Sequence, residues 1–214
     1  LAATNKGLYR STDAGTTWTL RYSGRLADVR FNPLNGSRVV LAPGLGGGAV
    51  AVSADAGTTW NRSNLDSTPP SPGNAGRVEL AFSRQNGVLY ASVDAASGQL
   101  HRSSDNGITW TLQGSPAHLG GQGWYDNALW VDPVNSNHLI TGGIDLHRSS
   151  DGGATWTKIS EWWKVGSGSV HADHHTIVSS PQYNGTTNST VYFGNDGGVY
   201  KAQSIQAVTT TTTG

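Results

Sequence analysis

STDAGTTW at 11–18, SADAGTTW at 53–60, SSDNGITW at 103–110 and SSDGGATW at 149–156 are four copies of one string, Ser-x-Asp-x-Gly-x-Thr-Trp, in a chain of 214 residues. Their tryptophans, Trp18, Trp60, Trp110 and Trp156, advance by 42, 50 and 46 residues. A period of that size belongs to repeat architectures in which each copy is one supersecondary unit. Within a copy, the aspartate (Asp13, Asp55, Asp105 or Asp151) is placed to accept bonds from backbone N–H groups two or three residues on. The glycine two positions later can take the positive φ that closes a tight turn. Each string is therefore expected at a hairpin tip. A short strand leads in, such as Gly7-Leu8-Tyr9-Arg10 or Asp145-Leu146-His147-Arg148, and a Thr/Trp segment of high strand propensity follows. The four tryptophans are expected to be buried between sheets. The four aspartates are structural, because an acid used for chemistry is not needed at every repeat.

On these four strings the chain resembles the Asp-box, or BNR-repeat, β-propellers, a superfamily that includes sialidases, xyloglucanases, sortilin-type receptors and photosystem assembly factors. The resemblance implies an all-β fold and an extracellular or periplasmic protein. It leaves the activity open.

Composition agrees with that class. There is no Cys and no Met, 13% of residues are charged, and the formal net charge is zero. Disulfides and thiolate metal sites are excluded, and the balanced charge argues against nucleic acid, which needs a clustered basic surface. No apolar run is long enough to span a membrane, and no signal peptide is seen; a start at Leu1 suggests a processed or fragmentary chain. Sequons at Asn35, Asn61, Asn184 and Asn188 matter only for a secreted eukaryotic product.

Between the strings the other strands recur in fixed order: apolar runs at 26–31 and 38–42, then 77–82 and 88–93, 126–131 and 138–141, 174–178 and 190–193, each pair divided by a turn signal such as Asn32-Pro33 or Asp132-Pro133. Four antiparallel strands per repeat make a propeller blade. The boundaries predicted are a partial blade at 1–21, blades at 22–63, 74–113 and 123–160, and a partial blade at 171–214. Seventeen strands do not close a ring of four-stranded blades. The expected object is an open segment of about four blades of a larger, seven-bladed propeller, its raw edges paired with further blades or another chain. The last repeat is degenerate, with Ser204 where the aspartate belongs, and the threonine run at 209–213 is either an outer strand or a linker.

Strand order sorts the loops by face. The loop before the innermost strand and the loop between second and third strands share one face, opposite the Asp-box turns. Two lead-in segments stand out there, Gly121-Gln122-Gly123-Trp124-Tyr125-Asp126-Asn127 and His171-Ala172-Asp173-His174-His175, and both should converge with Asn195-Asp196-Gly197-Gly198 on the mouth of the central channel.

Three chemistries can use such a cluster. His171, Asp173 and His174, with Asp196, have the ligand types of a divalent metal site, although strand alternation keeps all three histidines from one ion. A pair among Asp126, Asp173 and Asp196 can serve as acid and base of a glycoside hydrolase. The run Asp-Gly-Gly-Val-Tyr at 196–200 resembles the segment near a catalytic aspartate of xyloglucanases, which carry one more residue between the Asp and the Gly-Gly and place their two acids on different propellers. Trp124, Tyr125, Trp162 and Trp163 can stack on sugar rings. Against these stands a structural role, in which channel-mouth polar groups tie loops together. A sialidase is disfavoured: the Arg-Ile-Pro string is absent, Glu79 and Glu161 are the only glutamates, and of the arginines only Arg77 sits on that face. Two functions stay open. One is a secreted module binding polysaccharide at the channel mouth, part of a glycoside hydrolase related to xyloglucanases; the other is a noncatalytic scaffold for a protein partner. No cofactor is expected beyond that divalent ion.

Overall fold

The computed structural model describes residues 1–66, 76–165 and 168–210. It is built from 18 strands in five antiparallel sheets. The first sheet holds β1 (Ala2–Ala3), β2 (Gly7–Arg10) and β3 (Thr19–Ser23). Three four-stranded sheets follow: β4 (Leu26–Asn32), β5 (Asn35–Pro43), β6 (Ala49–Ser53) and β7 (Asn61–Asp66); β8 (Val78–Phe82), β9 (Leu89–Val93), β10 (Gln99–Ser103) and β11 (Thr111–Gly114); β12 (Ala128–Val131), β13 (Leu139–Gly142), β14 (Leu146–Ser149) and β15 (Thr157–Lys158). The last sheet is β16 (His174–Ser179), β17 (Val191–Asn195) and β18 (Gly198–Ala202). Spatial order follows chain order in every sheet.

The sheets stack face to face around a common axis. Strands β4, β8, β12 and β16 each contact the next in turn, so they line the inside. A sheet covered on both faces needs apolar residues at successive positions, because alternate side chains enter different cores. Strand β9 shows this: Leu89 and Ala91 pack with Val40, Ala42 and Leu80, whereas Tyr90 packs with Leu100, Val131 and Leu139. Four such clusters separate the five sheets.

One strand was not foreseen. Ala2–Ala3 pairs with Tyr9 and Leu8, giving the first sheet three strands rather than two; two alanines carry no alternation for a sequence reading to find. The first sheet thus lacks an innermost strand and the last lacks an outermost one among the described residues. After β18 a 3₁₀ turn at Ile205–Ala207 buries Ile205, and Arg148 Nη1 donates to the carbonyls of Ile205 and Gln206 at 2.7 and 2.8 Å. Of the threonine run, 211–213 lies outside the described residues.

All four Ser-x-Asp-x-Gly-x-Thr-Trp strings form the turn between the last two strands of a sheet. In the third copy the Ser103 hydroxyl donates to Asp105 Oδ1 and accepts from the Gly107 N–H, both at 2.8 Å, and Asp105 accepts the Thr109 N–H at 2.9 Å and its hydroxyl at 2.5 Å. The aspartate therefore reaches four residues on, further than expected. Two successive residues are left-handed, Asn106 at φ 63° and Gly107 at φ 84°, which explains the small or Asn residue before each glycine. These bonds favour the ionised acid: the Thr17 hydroxyl and N–H bring Asp13 down to about 2, and those of Thr155 do the same for Asp151.

The tryptophans depart from expectation in an instructive way. Each donates its indole N–H to the glycine carbonyl of its own turn at 2.9 to 3.2 Å. Trp60 then packs edge-on against Tyr22 of the first sheet, Trp110 also donates to Ser63 Oγ of the second at 2.9 Å, and Trp156 lies against Gly114 of the third. Each leans on the preceding sheet and is half-buried, not enclosed. Among the described residues no preceding sheet covers Trp18, which is 47% exposed, with Leu20 beside it 45% exposed.

Candidate functional site

On the face opposite the turns, three loops meet. Residues 115–127 lead into β12, residues 168–173 lead into β16, and 195–197 join β17 to β18. The first is anchored by Leu119, fully buried, and by His118, whose Nε2 bonds Ser92 Oγ at 2.9 Å. It then winds tightly, with the Tyr125 and Asp126 N–H groups both donating to the Gln122 carbonyl. Strand β12 begins at Ala128, so Asp126 is a loop residue. Arg77 donates from Nη1 to the Tyr125 carbonyl at 2.8 Å and from Nη2 to Glu79 at 2.7 Å, which fixes the Tyr125 backbone from the neighbouring blade.

Asp196 is the exposed centre of this face. The Tyr125 hydroxyl is 3.0 Å from both of its oxygens, and His175 Nε2 is 2.7 Å from Oδ1. His175 and Tyr125 meet edge to face at 4.9 Å, and Trp124 lies 5.5 Å from Tyr125, itself 52% exposed. The bond from His175, then that from Tyr125, holds Asp196 below the ordinary carboxylate range; the same bond raises the Tyr125 phenol. Asn195 holds the hairpin, donating to the His171 carbonyl at 2.9 Å and accepting from the Gly197 N–H at 3.0 Å.

Asp126 lies beneath, with none of its surface exposed. Burial, then the neighbouring Asp173 carboxylate, pushes it up to about 7. Asp173 adopts a left-handed φ of 62° and accepts a bond from Gln122 Nε2 at 3.1 Å, joining the two lead-in loops.

The histidines divide unexpectedly. A bulge between His174 and Thr176 breaks the alternation of β16, so that His174 turns inward while His175 and Thr176 are both exposed. His174 is fully buried, edge-on to Phe193 at 6.4 Å, and burial lowers its imidazole to about 3. His171 Nδ1 bonds the Ala172 carbonyl at 3.1 Å. Among the described residues no three His, Asp or Glu side chains converge as a ligand group, so His171, Asp173 and His174 are not assembled around one point.

Trp162 and Trp163 are 54% and 62% exposed on a 3₁₀ turn at Trp162–Lys164, apart from the Asp196 bonding network. Asp145 places them, accepting the Trp162 N–H at 2.8 Å, and Lys164 Nζ sits 4.7 Å above the Trp163 ring. Below the mouth, a channel of about 400 Å³ is lined by residues including Arg30, Glu79, Leu129, His175 and Val178. Glu79, pushed up by burial and then by Asp28, and His175 are polar members of this lining that the sequence did not single out as candidate site residues. The inner-strand register places Glu79, but nothing in the sequence announces the bulge that exposes His175.

By sequence, the chain matches no established family and no curated protein. By structure it is similar to a GH74 enzyme of Niastella koreensis, with a TM-score of 0.68 at 22% identity over 95% of this chain and 34% of that one. It is also similar to the GH74 xyloglucanase of Xanthomonas campestris, TM-score 0.64 at 19% identity over 94% of this chain and 34% of that one. A third similar structure is YCF48 of Cyanidioschyzon merolae, TM-score 0.57 at 17% identity over 97% of this chain and 63% of that one. The chain spans about a third of the length of the two GH74 proteins. At such identities the likeness is one of fold: these five radially stacked sheets are a partial β-propeller.

Proposed function

We propose that the chain is an Asp-box propeller module, exported from the cytoplasm, that binds polysaccharide at the channel mouth as part of a glycoside hydrolase related to xyloglucanases. The observation that carries this is Asp196. Its carboxylate is exposed, kept ionised by His175 and Tyr125, and flanked by the exposed Trp124. An ionised carboxylate fixed by two side chains is suited to accept a hydrogen bond from a sugar hydroxyl or to orient an attacking water, and an exposed indole offers a stacking face to a pyranose ring. Asp196 is then the one acid this segment contributes to hydrolysis. Asp126 is too deep to touch substrate, and Asp173 is tied to Gln122; the proton donor to the leaving oxygen belongs to another module. Trp162 and Trp163 extend the sugar-binding face.

A second reading, a scaffold for a protein partner, is favoured by the exposed sheet face at Trp18 and Leu20, which resembles a blade-to-blade contact left open. Affinity electrophoresis through gels containing xyloglucan, other β-glucans or no polysaccharide separates the two. Retardation lost in Trp124→Ala supports the sugar site. Equal mobility in every gel overturns it.

A further inference from the structure

Asp126 has no exposed surface, and neither of its carboxylate oxygens has a hydrogen-bond partner among the described residues. Buried carboxylates are ordinarily met by hydrogen-bond donors, because an unpaired buried charge is strongly disfavoured. What lies against Asp126 is another carboxylate, Asp173. The Gln122 amide donates to Asp173 at 3.1 Å and also lies close enough to Asp126 to favour its ionised form.

Arg77, His175 and His171, on the same face, are engaged elsewhere. Arg77 is committed to Glu79 and the Tyr125 carbonyl, His175 to Asp196, and His171 to the Ala172 carbonyl. His174 is buried edge-on to Phe193, and neither of its ring nitrogens has a hydrogen-bond partner among the described residues. Two carboxyl groups on loops of adjacent blades therefore lie together with no cationic side chain bonded to either among the described residues. Asp173 takes a left-handed backbone conformation at this same point. Such a pair is relieved either by one shared proton or by a cation.

We propose that Asp126 and Asp173 together hold a hard divalent cation, calcium in preference to magnesium, that clamps the loop leading into β12 to the loop leading into β16. The donors are carboxylate oxygens with the Gln122 amide at hand, a set that suits Ca²⁺, Mg²⁺ or Mn²⁺ and not a thiophilic metal. Calcium tolerates the irregular, water-completed geometry that two loops supply, whereas magnesium demands a near-octahedral shell. Tyr125 adjoins Asp126 in the chain, so the ion would also steady the Asp196 mouth, but the inference stands whether or not that mouth binds sugar.

Terbium is the direct test, since Trp124 lies two residues from Asp126 and can sensitise its emission. With the whole chain stripped by EDTA, Tb³⁺ luminescence excited through tryptophan should appear and be competed away by millimolar Ca²⁺, and Ca²⁺ should raise the melting temperature by several degrees. Asp126→Asn should abolish both responses. It should also melt at or above the wild-type temperature in EDTA, because it removes the carboxylate repulsion. Asp173→Asn, at a half-buried position, gives the same test should Asp126→Asn fail to fold. Absence of any response to Tb³⁺, Ca²⁺, Mg²⁺ and Mn²⁺ in the wild-type chain would overturn the proposal in favour of a shared proton. So would an undiminished response in both variants.

Discussion

Trp110→Ala and Trp18→Ala remove the same side chain from equivalent turns, yet their costs should differ severalfold. Trp110 packs into the cluster of Val40, Ala42, Leu80 and Leu89 and is shielded by the preceding sheet. A tryptophan buries roughly 150–250 Å² when enclosed, so a ring in this position removes on the order of 100 Å² from water, worth about 2.5 kcal/mol at ~25 cal/mol per Å². Truncation also strips the Ser63 hydroxyl and the Gly107 carbonyl of an indole donor 2.9 Å away, for about another 1 kcal/mol. The expected loss is about 3–4 kcal/mol. Trp18 rests only on its own hairpin and keeps one bond, to the Gly15 carbonyl at 3.0 Å, so its loss should be about 1 kcal/mol. Urea titration followed by far-ultraviolet circular dichroism gives both values, read as shifts in midpoint at constant slope. A Trp18→Ala cost equal to that of Trp110→Ala would refute the idea that each tryptophan works by leaning on the sheet before it.

Acid should destabilise the chain in two windows. His118 is held neutral by burial, down to about 3, while an unfolded histidine takes up a proton near ~6.5; stability is therefore complete above that value and falls as pH drops from there toward 3. Asp13 and Asp151, brought down to about 2, contribute stability above the usual carboxylate range, near ~4, that is lost as pH falls through about 2. Melting temperatures of wild type and His118→Gln across this range check the first window, since the variant should show a shallower decline between neutral pH and pH ~4. Gly143→Ala should destabilise by about 2 kcal/mol or more, because its Cβ would fall 2.4 Å from the His118 carbonyl oxygen, whereas Gly36→Ala, with nothing within 4 Å, should be nearly silent. Equal melting temperatures for these two alanine variants would remove the close approach of the His118 carbonyl as an explanation.

The repeat was legible because its turn is chemically self-contained. Ser, Asp, Gly and Thr satisfy one another within eight residues, so four copies announce four hairpins, and strand order then puts Asp126, Asp173 and Asp196 on the opposite face. What depended on neighbours was not legible. Trp18 carries the same string as Trp60 and Trp110, and it is exposed because no preceding sheet covers it among the described residues. His174 and His175 exchanged places because a bulge in β16 overrides alternation, which no residue in 174–179 signals. Asp126, grouped in sequence with Asp196 as a candidate acid, is separated from it in the fold by burial alone.

The account turns on whether the face built around Asp196 takes sugar. Calorimetric titration of the whole chain with xyloglucan oligosaccharides, in wild type, Trp124→Ala and Asp196→Asn, measures this directly. The predicted result is saturable heat for the wild type and an affinity about tenfold or more lower for Trp124→Ala, as expected for the loss of one stacking face worth about 1–2 kcal/mol, with Asp196→Asn also weakened while its melting temperature changes little. Contradiction would be the absence of heat from the wild-type chain with every β-glucan oligosaccharide tried, or binding that both substitutions leave untouched.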